Sequence, residues 1–335
     1  MADTAASPSA GAGTDRARAA DVYGEAVTAA REIYKILEPE AKTPQALFWP
    51  ENVIRKMLAL LQAGDQELLA LVSRSVSDHF LFGHVPNVTI LSLRLGLAVG
   101  IADEDAVTLG LAAFLNDLGL ASHLELAAKA TKITDEEYRL LRNHVEEGIK
   151  MLDLFPLPES DMKATLRRVI SQCHERTGGQ GYPGRLKKDE IHPFAKIIGM
   201  MDTYEAMTHL RPWRARTIPH EVLRKMIEEN ENEFDPGLIR TFVECLSLYP
   251  PGSYVRLNTG DIGVVTATHA DLSLRPRVWL MMDGAGRRLE NQRIVNLALS
   301  PGLFVADAVD ETTLSISDPR LKLELRAQRW WVKGL

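Results

Sequence analysis

VTILSLRLGLAVGI, residues 88–101, decides the fold. Apolar side chains fall nearly all round this stretch instead of along one stripe, so a helix here has to lie inside other helices. Val107–Leu115 has the same character, and the pair predicts a helical bundle with both segments in its interior. Upstream, Asp21 to Ser77 carries apolar positions at helical spacing (Ile33, Ile36, Leu37, then Leu58, Leu61, Leu68, Leu69 and Val72), broken at Pro39, Pro44 and Pro50. This predicts an N-terminal helical section, residues 21–77, acting as a packing or dimerisation scaffold. Before it, MADTAASPSAGAGT holds only small or polar residues after its first Met, and residues 1–20 are expected to form a disordered tail.

Downstream, Thr134 and Glu137 form a capping box and Ile133 with Tyr138 a hydrophobic staple, opening a helix whose stripe is Leu141, Val145, Ile149 and Leu152. Further helices are expected over Asp161–Glu175, Pro193–Thr208 and Pro219–Asn230, and one is started by Asp235 as N-cap with Pro236 in the first turn. Between the first two of these lies a glycine-rich loop, Thr177–Gly184. Pro250-Pro251 ends the helical domain, residues 78–250. The composition then turns to strands at Tyr254–Leu257, Ile262–Ala267, Val278–Met282 and Arg288–Val295, separated by turns at Thr259-Gly260-Asp261 and Asp283-Gly284. The expected architecture is mainly α, a helical bundle with a small β-rich C-terminal region over residues 251–335. Trp330-Trp331 is expected to pack back onto that β region.

Of 335 residues, 39 are Lys or Arg and 45 Asp or Glu, giving a net charge of −6. That field opposes nonspecific attraction to nucleic acid or anionic lipid. Apolar runs between charges fall short of the roughly 18 residues that span a bilayer, and no secretory signal core opens the chain. A cytoplasmic protein without a membrane span is expected. Cys173 and Cys245 are too few and too far apart for a disulfide scaffold. The chain has no GxxxxGK[ST], no GxSxG and no glycine fingerprint between a strand and a helix, which removes P-loop, serine-hydrolase and dinucleotide-fold readings.

Polar residues interrupt the apolar helices at several points. Asp117 follows Leu111–Leu115 and, taken alone, reads as a helix C-terminus with Gly119 left-handed. His144 precedes Val145, His174 lies four residues after Ile170, Asp202 four after Ile198, and His84 stands just before the buried stretch. One such histidine is ordinary core packing; several on separate helices make a set able to converge in a bundle. Imidazole and carboxylate hold iron, manganese or zinc, and such ions polarise a phosphoryl oxygen and acidify bound water. Hydrolysis of a phosphate ester is the chemistry this set suits.

His84-Val-Pro-Asn-Val88, Asn116-Asp117-Leu-Gly119, Asn143-His144, Cys173-His174-Glu175, Gly178-Gly-Gln-Gly-Tyr-Pro183, Met201-Asp202-Thr-Tyr-Glu-Ala206 and Phe234-Asp235-Pro236 occur in this order. The series resembles the HD-GYP branch of the HD phosphohydrolases over His79 to Tyr249. The resemblance implies an all-helical domain with a two-ion centre, usually iron or manganese, that hydrolyses cyclic di-GMP to pGpG or GMP; one or two ions, zinc among the candidates, are expected for this chain. By resemblance, Asp117 bridges the ions, His84 and Asp202 are metal ligands, and His144 and His174 serve the second ion; Asp117 and His84 stand as the catalytic pair. Gly179, Gly181, Tyr182 and Pro183 match the loop that shapes the site and contacts diguanylate cyclase (GGDEF) partners in the family.

Departures from the family pattern bear on activity. Asn116 replaces the histidine of the His-Asp pair, and a neutral amide is a far weaker ligand. Cys173 replaces the first of two adjacent histidines; as a ligand it would favour zinc or ferrous iron, but it also falls on an apolar face with Leu166, Val169 and Ile170. Leu120, Gly178 and Phe80 stand where the family has Lys, Asp and, in some members, Glu. The expectation is a phosphodiesterase with a weakened centre; the alternative is a silent module that binds cyclic di-GMP or docks on a cyclase, with the metal absent. Arg211, Arg214 and Arg216 around Trp213, with Arg185 and Lys187 beside the loop, are candidate phosphate contacts or simply a solvated basic face.

Overall fold

A computed structural model describes residues 10–37, 50–76, 79–155, 157, 159–211, 213–229, 232–269, 271–316 and 318–331. The expectations for residues 1–9, Pro39 and Pro44 lie outside them. Helices α1 (Ala10–Leu37), α2 (Glu51–Gln62) and α3 (Gln66–Leu71) lead through a short strand β1 (Ser75–Val76) to α4 (Phe80–Ala98) and α5 (Asp103–Leu115). A 3-10 turn over Leu118–His123 is followed by α6 (Leu124–Ala127), α7 (Asp135–Arg142), α8 (His144–Leu152), α9 (Asp161–Gln172), α10 (Pro193–Thr208), α11 (Pro219–Glu228) and α12 (Pro236–Leu246). Strands β2 (Tyr254–Leu257), β3 (Ile262–Ala267), β4 (Arg277–Met282), β5 (Arg288–Asn296) and β6 (Val305–Val309), then α13 (Pro319–Arg329) and β7 (Trp330–Trp331), complete the order.

The all-round apolar character of α4 and α5 has the expected result, since both run through the middle of the bundle. Every residue from Leu81 to Leu93 is buried. By length and composition alone Phe80–Ala98 and Asp103–Ala127 could cross a membrane, but their apolar windows are 83% and 72% buried within the protein, as core helices are. One hydrophobic cluster runs without interruption from Ala19 on α1 to Leu246 on α12. The N-terminal section therefore shares the core of the bundle, and α1 starts at Ala10, inside the stretch expected as a tail.

Three local readings change. His84 lies within α4, not ahead of it, and Pro86 sits two residues on inside the same helix, where it removes the N–H that would reach Phe82. The capped helix expected from Thr134 to Leu152 is two helices meeting at Asn143: the capping box forms, but α7 buries no side chain and Tyr138 is exposed, while α8 turns to bury Val145, Gly148 and Leu152. Gly119 is not left-handed; its role is close approach, described below.

The β region is a five-stranded antiparallel sheet in the order β5-β4-β3-β2-β6. One face packs Tyr254, Val264 and Met281 against Leu321 and Leu325 of α13. The other packs Val255, Val265, Val278 and Leu280 against Tyr249 and Leu297. Strand β6 escaped the sequence pattern because it is a mostly exposed edge strand with a weak alternation. The backbone of Trp330–Trp331 pairs in parallel with Ser75–Val76; the side-chain packing expected of this pair lies outside what is described.

Candidate metal centre

Five elements deliver one side chain each to a single point. Helix α4 supplies His84, the exit from α5 supplies Asp117, the first turn of α8 His144, the residue pair after α9 His174, and the middle of α10 Asp202. Gly119 lets the exit from α5 lie against α8: a Cβ there would stand 1.9 Å from the carbonyl oxygen of His144 and 2.7 Å from the amide nitrogen of Gly148. Only glycine allows that approach, and it sets the spacing between Asp117 and His144.

The two oxygens of Asp117 face opposite ways. Oδ2 lies 3.2 Å from His84 Nε2, which is 3.1 Å from Asp202 Oδ1. Oδ1 lies 3.4 Å from His144 Nε2 and 3.7 Å from His174 Nε2, and those two nitrogens are 2.9 Å apart. The result is two three-residue donor sets, His84–Asp117–Asp202 and Asp117–His144–His174, each with its ligand atoms within 4.8 Å of one another and joined through Asp117. Asp202 Oδ2 also comes within 3.9 Å of His174 Nδ1.

Protonation follows from the outer partners. A carbonyl or carboxylate oxygen only accepts, so His144 Nδ1–H donates to the Leu141 carbonyl at 2.5 Å and His84 Nδ1–H donates to Glu205. Each ring then turns Nε2 toward carboxylates 3.1–3.4 Å away. A proton on Nε2 bridges those contacts in the metal-free protein, and a cation that displaces it meets imidazole nitrogens and carboxylate oxygens already converging, so this donor set fits a cation. Burial opposes charge on His84, yet Glu205, Asp117 and Asp202 hold its pKa well above the usual imidazole range. Burial likewise would raise the Asp117 carboxyl, but the imidazoles of His144, His174 and His84 hold it well below. Burial and the neighbouring His144 push His174 down, toward the neutral form that ligates.

Two further candidates behave differently. Asn116 is 1% exposed, and neither its Nδ2 nor its Oδ1 finds a hydrogen-bond partner. Cys173 donates from Sγ to the Val169 carbonyl at 3.1 Å, burial pushes its thiol pKa well up, and it belongs to neither donor set. It packs in the core with Leu166, Val169 and Ile170.

The glycine-rich loop closes over the second donor set. Tyr182 stacks on His174 with ring centroids 4.9 Å apart and planes within 4°, and the Arg142 guanidinium lies 4.2 Å above the other face of the tyrosine. Glu175 holds the loop by accepting from the Gly184 amide at 2.5 Å and the Leu186 amide at 2.9 Å. Gly181 makes the fold-back possible, since a Cβ there would sit 2.4 Å from the Arg176 amide nitrogen. Gly179 has φ +83° and the Tyr182–Pro183 peptide is cis.

The cations divide. Arg211 is buried, donates to Glu205 Oε2 at 2.7 Å, and stacks 4.4 Å over Phe80, so its guanidinium braces the centre from behind and does not reach into open space. Arg216 pairs with Asp310 at 3.0 Å and with Glu311, tying the bundle to the β region. Arg214 donates to the Ala206 carbonyl with its side chain otherwise exposed; Arg185 and Lys187 are exposed on the loop. Sequence reasoning passed over Arg142 and gave no role to Glu175 and Glu205, which it held only as members of motifs. All three stand within three residues of a metal-site histidine or aspartate, which was the available signal.

Comparison with known proteins agrees with this geometry. The profile of the HD domain family matches residues 60–238, more than half the chain, and that of a KOW domain associated with HD domain matches residues 254–317. The chain belongs to the HD-GYP branch of the HD-domain family. A cyclic di-GMP phosphodiesterase of Pseudomonas aeruginosa, PA4108, is 33% identical over 234 residues, covering 69% of this chain and 55% of that protein. The 3'3'-cGAMP-specific phosphodiesterase 3 of Vibrio cholerae is 29% identical over 170 residues, 50% of this chain and 36% of that one. The chain thus spans about a third to a half of these relatives. Among solved structures, Bd1817, a HDG"Y"P protein from Bdellovibrio bacteriovorus, shares the fold with a TM-score of 0.54 at 20% identity over 68% of this chain and 71% of that chain. The HD-GYP match ends before the sheet, so β2–β6 form the KOW unit.

Proposed function

We propose that this HD-GYP chain is a metal-dependent phosphodiesterase that opens cyclic di-GMP to pGpG and on to GMP in the cytoplasm. The observation that carries the reading is the pair of donor sets sharing Asp117, one oxygen turned to each. His84, Asp117 and Asp202 would hold one iron or manganese ion, and Asp117, His144 and His174 the other. Ions held there would supply Lewis acidity for the phosphoryl oxygen and acidify a water beside it. The chain's own residues do the rest. Glu205 and Leu141 fix the tautomers of His84 and His144. Tyr182 covers His174 and excludes water from that face. Arg185 and Lys187, exposed on the loop, and Arg142, stacked on Tyr182, would meet substrate phosphates, with the exposed Arg214, bonded to the Ala206 carbonyl, a further candidate.

One of the two ions would be held more weakly. Asn116 puts a neutral amide where the family has an imidazole, and its two unpartnered polar atoms are what a shortened ligand would leave. That same observation supports the second reading, a module that binds cyclic di-GMP, or docks on a diguanylate cyclase through the exposed loop tip at Pro183–Lys187, without turnover. A homodimer is compatible with either.

The test is hydrolysis of cyclic di-GMP and of 3'3'-cGAMP by anaerobically purified protein reconstituted with iron or manganese, beside Asp117→Ala. Turnover that requires Asp117 supports the enzyme. Tight dinucleotide binding without turnover, unaltered in D117A, refutes it and leaves the binding module.

A further inference from the structure

The HD-domain match begins at residue 60, which leaves α1 outside the matched stretch. Yet α1 reaches the metal centre. Tyr23 on α1 is wholly buried and its hydroxyl donates to Asn87 Oδ1 at 2.8 Å. Asn87, also wholly buried, donates from Nδ2 to Glu205 Oε1 at 3.1 Å. The other oxygen of Glu205 accepts from His84 Nδ1, and the far side of that ring faces Asp117 and Asp202. The line from α1 to the ligand is therefore unbroken: hydroxyl, amide, carboxylate, imidazole.

Each link has one workable arrangement. With the Asn87 oxygen taken by the tyrosine, its NH2 group turns to Glu205; with one Glu205 oxygen held by Asn87, the other stays on His84. Arg211 donates to that same oxygen at 2.7 Å, and His209 approaches Oε1 at 3.3 Å while its Nε2 contacts the Val72 carbonyl at 2.7 Å. Outer partners of this kind fix the orientation of a ligating imidazole and its basicity. On the same helix Tyr34, eleven residues or three turns beyond Tyr23, is 1% exposed and meets Phe82, two residues before His84, edge to face with ring centroids 6.3 Å apart.

We infer that α1 is a working part of the metal centre, with Tyr23 a positioning residue that orients the His84 imidazole for metal through Asn87 and Glu205. The inference rests on the metal-binding reading above. It assigns to the N-terminal section a task beyond packing: any displacement of α1 along its axis would be felt at His84.

The test is manganese titration of the full chain by calorimetry, with melting of the metal-free protein measured in parallel. Tyr23→Phe removes one hydroxyl and keeps the ring. Its expected effect is a loss of manganese affinity of roughly 3–10-fold, below the 10–100-fold typical of a partner bonded directly to the ligand, with the metal-free melting temperature little changed. Val27→Ala, on the same helix and buried in the core, is expected to lower the melting temperature and leave the affinity alone. In a Glu205→Gln background, Y23F is expected to add nothing. Equal affinity in Y23F and wild type overturns the inference, as does a loss in Y23F and V27A alike that tracks melting temperature. If wild-type protein takes up no manganese or iron, the metal reading itself falls and this inference falls with it.

Discussion

Gly119→Ala tests whether the close packing of the α5 exit on α8 sets the geometry of the second donor set. The added Cβ would meet the His144 carbonyl oxygen at 1.9 Å, and ordinary contact begins at 3.4 Å. The obstacle is backbone, so no side chain can rotate aside. The two segments must separate by roughly 1.5 Å, at a cost of about 1–3 kcal/mol for overpacking. His144 moves with its backbone while Asp117 stays on the α5 side, so a 3.4 Å approach of Nε2 to Oδ1 opens well beyond the few tenths of an ångström that metal ligation tolerates. The expected result is loss of one equivalent of bound manganese, that of Asp117–His144–His174, and a fall in melting temperature of several degrees. Metal content after desalting and a melting curve provide the assay. Gly148→Ala is the graded control: its Cβ would stand 3.2 Å from the Gly119 amide, and a much smaller effect is expected. If G119A retains both equivalents at wild-type affinity, the packing argument is wrong.

Asn116→His is expected to strengthen metal binding by putting an imidazole next to Asp117 in the chain, raising manganese affinity at least about 10-fold, a scale on which even outer partners act, and raising turnover with it; unchanged affinity and rate count against the diagnosis of a shortened ligand. Arg216→Ala is expected to destabilise the protein by about 1–3 kcal/mol through loss of its bonds to Asp310 and Glu311, without altering KM for a dinucleotide. A raised KM with an unchanged melting temperature would return Arg216 to the role of a phosphate contact.

The residues that converge here were legible because each is out of place where it stands. A carboxylate after five apolar residues, or an imidazole beside an apolar stripe, has to be explained, and His84, Asp117, His144, His174 and Asp202 explain one another in space. The cations were not legible in the same way. Whether Arg211 points outward or back onto Glu205 depends on a pocket made by α4 and α10 together, and Arg216 finds its acids ninety-four and ninety-five residues later, in the KOW sheet. Periodicity also hid the break at Asn143, because Leu141 and Val145 keep helical spacing across it. What separates α7 from α8 is burial against the Leu118–Gly119 turn, a contact between segments. The helix starts at Pro193, Pro219 and Pro236 and the strands β2 and β3 agree with the structure to the residue, since caps, prolines and alternation are local signals that no distant partner overrides.

Tyr182 lies flat against an imidazole of the donor set, and that gives the protein an optical gauge of its own occupancy. Chirality and polarity around the phenol ring depend on the electronic state of His174, so near-ultraviolet dichroism of one of only seven tyrosines should change as cations load. Subtracting the spectrum of Tyr182→Phe isolates that band, and filling of the second position can be followed without a dye, a label or a substrate.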